Sequence, residues 1–465
     1  MKKLRSTLII VLLIGILSAG LYYGNHFYKI AKVACGFAAK TMASGVFISR
    51  RNPESILKAE LNNPLLDYFD YRIDSTRHSV TFQALFGLIQ RTAYLRDGLG
   101  ATLDLPENQK NIKVTITKKP STEQAQIAWP AGELVNLEQL PPEVDQNALI
   151  TILDEAFADP DTTHPRQTRG IVVVYNGQII AEKYGNGFTR DMPQLGWSMT
   201  KSVINALVGI MVKQGKLAIE AAAAIPEWNK PNDPRKEITL NHLLQMSSGL
   251  EFAEEYSHLL SDVVQMLFLK KSAANFALNK PLIAEPGTKF SYASGTTNII
   301  CKILKQSLGG DDLEYLKFPR EALFNPLGMP SAIIEPDAAG IFVGSSFMYA
   351  TARDWARFGL LYLQDGIWNG ERILPEGWVK YTTTPTTTSK HPIYGAHFWL
   401  YPPAESTSSD TLLNGISEAR GHDGQFVSII PQKNMVVVRL GYSPYHNWDQ
   451  EDFLKKVLLC IRKND

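Results

Sequence analysis

Ser198-Met199-Thr200-Lys201, running straight into Ser202-Val203-Ile204-Asn205-Ala206-Leu207-Val208-Gly209-Ile210-Met211-Val212, is the stretch on which the fold turns. A run that is apolar on nearly every side reads as a core helix, and Gly215 stands where a C-cap would end it. A hydroxyl and an amine three residues apart lie on one helix face. If burial strips the lysine of water, its pKa falls; it can then take the serine proton and leave a nucleophile. Ser198 would stand at the mouth of the helix, where free backbone N–H groups also point. The spacing alone is weak. Ser55-Ile56-Leu57-Lys58 repeats it among polar residues, and an N-cap serine with a snorkelling lysine explains four isolated residues better.

Two further segments change that balance. Phe290-Ser291-Tyr292-Ala293-Ser294-Gly295 offers a tyrosine able to relay protons between nucleophile and leaving group. The Tyr-x-Ser/Asn pattern is common here, as Tyr23-Gly24-Asn25, Tyr184-Gly185-Asn186 and Tyr445-His446-Asn447 also fit. Gly421-His422-Asp423-Gly424-Gln425 leads into the strand-like Phe426-Val427-Ser428-Ile429-Ile430. Gly424 would let the backbone approach a substrate, and the Gln425 N–H could join that of Ser198 around a developing oxyanion. Strand alternation would put Asp423 opposite His422, unless a bulge brings it round.

In this order the three segments resemble the serine β-lactamase and penicillin-binding-protein superfamily. Within it they are most similar to the class C-like branch, with the family VIII esterases and the 6-aminohexanoate-dimer (nylon oligomer) hydrolases. The likeness covers roughly residues 165–445 and extends to Ile238–Leu250, to Phe324-Asn325-Pro326-Leu327-Gly328-Met329, and to Met348–Gly359. Tyr292-Ala293-Ser294-Gly295-Thr296-Thr297-Asn298 is especially like the nylon-oligomer branch. The resemblance implies Ser198 as nucleophile, Lys201 as base and Tyr292 as proton relay. It places Ser294 where many relatives have asparagine, and His422 where β-lactamases and D-alanyl-peptidases usually have lysine. Histidine holds a substrate carboxylate only when protonated. Tyr256 resembles a substrate-side tyrosine of the nylon-oligomer group, with a lid aromatic as the alternative.

The chain has 465 residues, with 47 basic and 46 acidic, too evenly mixed for a nucleic-acid footprint. Its three cysteines, Cys35, Cys301 and Cys460, fit no zinc spacing. No HExxH or phosphate-binding glycine loop is present, so neither metal nor cofactor is expected. Met1-Lys2-Lys3-Leu4-Arg5 followed by an apolar stretch from Thr7 to about Tyr23 reads as a signal anchor, with the remainder exported to the periplasm or cell surface. Ser18-Ala19-Gly20 is the alternative, a cleavage site.

Strands are expected at Tyr68–Ile73, Ile112–Thr117, Phe398–Leu400, Phe426–Ile430 and Met435–Leu440. An Asn176-Gly177 hairpin is expected to join 170–175 to 178–183. Helices are expected at 147–157, 297–308 and 453–461. The fold class is α/β (α+β): an antiparallel sheet built from distant segments and flanked by helices, a mainly helical subdomain, and an N-terminal membrane helix. The expected units are a signal anchor (1–27), an N-terminal extension (28–145) and a β-lactamase-like hydrolase domain (146–465) with a helical insertion at about 215–370. The function expected is hydrolysis of small esters or amides through an acyl-enzyme. The alternatives are a β-lactamase or D-alanyl-peptidase, which His422 argues against, and an inactive binding protein of the same fold. The partners expected are a small-molecule substrate and, through the N-terminal helix, a membrane.

Overall fold

The structure, a computed structural model, describes residues 2–115, 126–401 and 411–462, with side chains from Tyr22 onward. Its centre is a six-stranded antiparallel sheet. Its order is Trp399–Leu400, Ser417–Gly421, Gln425–Ile430, Met435–Gly441, Thr168–Tyr175, Gln178–Tyr184. The two ends of the expected hydrolase domain therefore meet in the middle of one sheet, where Val172 pairs with Val438 and Val174 with Val436. The hairpin turn is the expected one, with Asn176 and Gly177 both left-handed (φ 49° and 77°).

The central strands read as continuous valine and isoleucine because both faces are covered. Val172, Val174, Val436 and Val438 face one core with the helices Met199–Lys213 and Ala352–Leu363. Ile171, Val173, Met435 and Val437 face a second core, closed by the helices Gln146–Phe157 and Gln450–Leu459. Gly359 is required where Ala352–Leu363 crosses the sheet, since a Cβ there would lie 2.6 Å from a Val436 methyl. Between the sheet halves the chain is mainly helical. The helix Ser294–Ser307 carries Cys301 fully buried, as its position in a helical core segment implied.

Two sequence-based strand assignments are corrected. The first begins two residues later, at Asp70–Asp74 (β1), because Leu66–Tyr68 is a 3₁₀ turn. At 112–115 the chain is irregular, and the remainder of that expected strand lies outside the described residues. Val114 donates one backbone bond to Asp97 O at 3.1 Å and packs over Gly98, so the segment lies on the turn of another hairpin without extending its ladder.

Before the sheet, one helix, α1 (Lys2–Phe47), runs unbroken across the expected boundary at residue 27. Its segment Tyr22–Phe47 is apolar enough to cross a membrane, yet two-thirds of its most apolar 18-residue window is buried inside the protein. It packs against a small sheet formed by β1, β2 (Ser79–Ala84), β3 (Ile89–Arg96) and β4 (Gly100–Leu103). Lys40 and Glu335 form a buried ion pair that clamps α1 to the main body. Ser44 Oγ and the Ala101 N–H also donate to Glu335 Oε1, at 2.8 and 2.7 Å. Gly100 is left-handed (φ 67°), and a Cβ there would strike Glu335. Removing one partner from such a pair leaves a charge buried and unpaired. Glu335→Ala is therefore expected to cost about 3–5 kcal/mol, read as a loss of unfolding free energy in urea titration. A loss below about 1 kcal/mol would show that α1 is not held by this contact.

Candidate active site

The helix Met199–Lys213 starts behind a strained turn. A Gly196 Cβ would lie 2.4 Å from the Trp355 ring, and Trp197 is left-handed at φ 48°, a region that disfavours a bulky residue. Ser198 occupies the N-cap position with helical backbone angles, and its side chain makes no capping bond. The hydroxyl is thereby left free of the duty an N-cap serine ordinarily has. The helix is then fixed from below. Ser202 Oγ donates to His397 O at 2.7 Å. Asn205 Nδ2 donates to Ala396 O at 2.9 Å, while Asn205 Oδ1 accepts from Tyr362 and Trp378.

Lys201 is 1% exposed, and its ammonium has three acceptors: Ser198 Oγ at 2.8 Å, Ser345 O at 2.9 Å and Ser294 Oγ at 3.0 Å. Burial pulls its pKa down to about 8, against an opposing pull from the Glu254 carboxylate. Ser345 is presented by Asn298, which donates to Ser345 Oγ at 3.0 Å and accepts from its N–H at 3.3 Å. Asn298 is one helical turn beyond Ser294, which accounts for both residues in the quoted Tyr292–Asn298 stretch.

Tyr292 lies over the same amine, its ring centroid 4.9 Å from Lys201 Nζ. The segment is held by Ser291 N donating to Met246 O at 2.8 Å, and the ring packs against Trp399 at 5.3 Å and Tyr394 at 5.8 Å. Burial pushes the phenol far above its ordinary pKa. Glu254 adds to the rise, and a contact from the Ser198 hydroxyl opposes it. The structure thus brings Ser198, Lys201, Tyr292 and Ser294 together. Ser294 does not face open cleft: it is fully buried, and its hydroxyl donates to Glu254 Oε1.

Tyr256 and His422 stand at the edge of this group, stacked at 4.5 Å, each edge-on to Trp197. The His422–Gln425 segment departs from the sequence expectation. Asp423 and Gly424 are both left-handed (φ 57° and 83°) and form the tip of a hairpin. Asp423 is neither strand-alternating nor bulged; its carboxylate lies 3.3 Å from His422 Nε2. Gly424 is not the point of close approach, for a Cβ there would meet the buried Arg439 guanidinium. Gly421 approaches instead, with room for no Cβ beside Gly196 O. The Gln425 side chain is committed to structure, its Nε2 donating to Gly441 O at 2.6 Å and its Oε1 accepting from Gly441 N at 3.0 Å.

Sequence reasoning missed Glu254 and His397. Glu254 accepts from both the N–H (2.7 Å) and the hydroxyl of Ser294. His397 meets Lys201 O through Nδ1 at 3.0 Å and Thr297 Oγ1 through Nε2 at 3.2 Å. Burial, with Lys201 nearby, lowers its pKa to about 3, so it stays neutral. Among the described residues no His, Cys, Asp and Glu cluster is arranged to hold a metal ion.

The family described as Beta-lactamase matches residues 153–454. The chain is similar to a 6-aminohexanoate-dimer hydrolase of Paenarthrobacter ureafaciens, 25% identical over 271 residues. That alignment spans 54% of this chain and 63% of that protein, less than two-thirds of its length. Among solved structures, a candidate 6-aminohexanoate-dimer hydrolase from Bacillus anthracis superposes with a TM-score of 0.53 at 22% identity, over 76% of this chain and 90% of that one. A penicillin-binding protein from Bacillus halodurans does so with a TM-score of 0.50 at 15% identity, over 67% and 98%. At such identities the two superpositions speak for a shared fold.

Proposed function

The chain belongs to the beta-lactamase family, and from that premise we propose that it is a serine hydrolase cleaving small ester or amide bonds through an acyl-enzyme. The observation that carries this reading is the 2.8 Å contact between Lys201 Nζ and Ser198 Oγ at the head of a buried helix. With a pKa near 8, roughly a tenth of the amine is neutral at pH 7 and able to accept the serine proton. Ser198 Oγ then bonds to the substrate carbonyl carbon. The Ser198 N–H and a second N–H from the Gly421–Gln425 hairpin receive the oxyanion. Tyr292, kept protonated by burial, passes a proton to the departing alcohol or amine and recovers one from Lys201. Water repeats the sequence on the acyl carbon, releasing the acid and restoring Ser198. Tyr256 and His422 line the substrate side.

The test is a panel of p-nitrophenyl esters, linear amides and nitrocefin, with a fluorophosphonate probe. Turnover of esters or amides together with stoichiometric labelling is the expected outcome. Nitrocefin as the preferred substrate would favour a β-lactamase, and neither turnover nor labelling would leave a binding protein of the same fold.

Glu254 supports the reading through Ser294. Because its carboxylate holds the Lys201 pKa up, Glu254→Gln is expected to lower that pKa further and move the acid limb of kcat/KM to lower pH. A limb that stays in place or moves up would show that the carboxylate does not act on the amine.

The N-terminal half of α1 is read as an uncleaved anchor, with Lys2, Lys3 and Arg5 on the cytoplasmic side and the catalytic body exported. Its support is a belt of exposed aromatics, Tyr22, Tyr23, Phe27 and Tyr28, between the apolar stretch and the buried part of the helix.

A further inference from the structure

A cavity of about 460 Å³ is walled on one side by Tyr256, His422 and Trp197, the neighbour of Ser198 in the chain, and on another by Val33, Ala34 and Phe37 of α1. Its size is ordinary for a small-molecule site. A series of packed rings runs in the same direction: Trp197 to Phe347 (6.3 Å), Phe347 to Phe268 (5.9 Å), Phe268 to Phe37 (5.2 Å). Charged groups sit elsewhere in the wall, where Glu60 is tied to Arg51 and Arg169. We propose that the α1 arm of this cavity houses a linear aliphatic acyl chain of the substrate, so that the preferred esters are medium- or long-chain. This rests on the serine-hydrolase reading. The test is kcat/KM of the full chain in lipid nanodiscs for p-nitrophenyl acetate, butyrate, octanoate and dodecanoate, with Ala34→Phe as the variant. The octanoate-to-acetate ratio is expected to exceed about tenfold, and Ala34→Phe to cut it by about fivefold or more. A flat series, or a ratio that the variant leaves unchanged, overturns the proposal while leaving the hydrolase standing. No turnover at any chain length removes both.

A second, independent feature lies at the β2–β3 turn. Leu85, Phe86 and Leu88 are 46, 103 and 83% exposed, and Leu85 and Phe86 are held left-handed (φ 51° and 56°). Three bulky apolar side chains facing water, two of them on strained backbone, call for a partner. The turn's height along α1 identifies it. His78 meets Phe47 near the C-terminal end of the helix (5.8 Å), and Ile89 O meets Cys35 Sγ (3.9 Å). The hairpin therefore runs back along α1 towards its N-terminus. Two residues of tip beyond Ala84 and Ile89 add about 7 Å, which brings the tip level with residue 30 or so at about 1.5 Å per helical residue. A span of about 20 residues from Thr7 ends near His26, inside the belt of exposed aromatics.

We infer that Leu85, Phe86 and Leu88 insert into the bilayer interface beside α1 and fix the catalytic body against the membrane. This rests on the anchor reading. The three natural cysteines are buried, so a fluorophore can be placed at Phe86→Cys, at Ser18→Cys in the apolar stretch and at the exposed Leu459→Cys. Each is reconstituted as full chain in phosphatidylcholine vesicles carrying nitroxide-labelled acyl chains. Strong quenching at 86 and 18 but not at 459 is expected. Position 86 as unquenched as 459, with 18 quenched, overturns the insertion alone. No quenching at 18 removes the anchor reading and the insertion together.

Discussion

Replacing Ser198 by alanine is expected to lower kcat/KM by roughly 10⁴-fold or more and to abolish fluorophosphonate labelling, with the melting temperature nearly unchanged. The loss is this large because nucleophile and base act as one unit, so removing either stops the covalent route. The fold should be indifferent, since the Ser198 side chain makes no capping bond and its contacts are with Lys201 and Tyr292 inside the site. The double variant Ser198→Ala/Lys201→Ala should be no slower than either single variant. Activity retained in Ser198→Ala would mean that the bond is cleaved without this hydroxyl.

Lys201→Ala is expected to cost about 10⁴-fold, the upper end for one acid–base group, because the substitution also empties a buried site that orients Ser198 and Ser294. The pH dependence gives the sign. The amine works as a base only when neutral, and burial brings its pKa to about 8. In the native protein kcat/KM should therefore rise with pH, about tenfold per unit below 8, and level off above it. The same depression makes folding stability rise with pH between about 8 and the ordinary lysine value near 10.5, because there the unfolded chain binds the proton that the folded one has released. His397 cannot produce the limb, as its pKa lies near 3. A limb centred well away from 8, or one that persists in Lys201→Ala, would assign the base elsewhere.

Much of the fold was legible because the signals are local. Asn176-Gly177 favours a tight turn whatever surrounds it, and the run after Lys201, apolar but for Ser202 and Asn205, reads as a core helix. The order of Ser198, Lys201, Tyr292 and His422 was legible through family resemblance, and the structure brings the first three within a few ångströms. Other features were hidden because they depend on contacts distant in sequence. Glu254 is an unremarked carboxylate until Ser294, forty residues on, donates to it twice. Gly424 and Gly421 look alike in sequence; only the positions of Arg439 and Gly196 decide which one lets the backbone approach the site. The burial of α1 was also out of reach, since an apolar helix reads the same whether lipid or a protein core covers it. The difference rests on Lys40 and Glu335, nearly three hundred residues apart.

The central claim is that one hydroxyl, made reactive by a buried amine one helical turn away, carries the acyl group. It is tested most directly by trapping the protein with a fluorophosphonate, or with an ester at low pH, and locating the adduct by peptide mass mapping. A single stoichiometric adduct on the peptide containing Ser198, absent from Ser198→Ala, is the result predicted. An adduct on any other residue, or turnover of substrate with Ser198 chemically blocked, would contradict it.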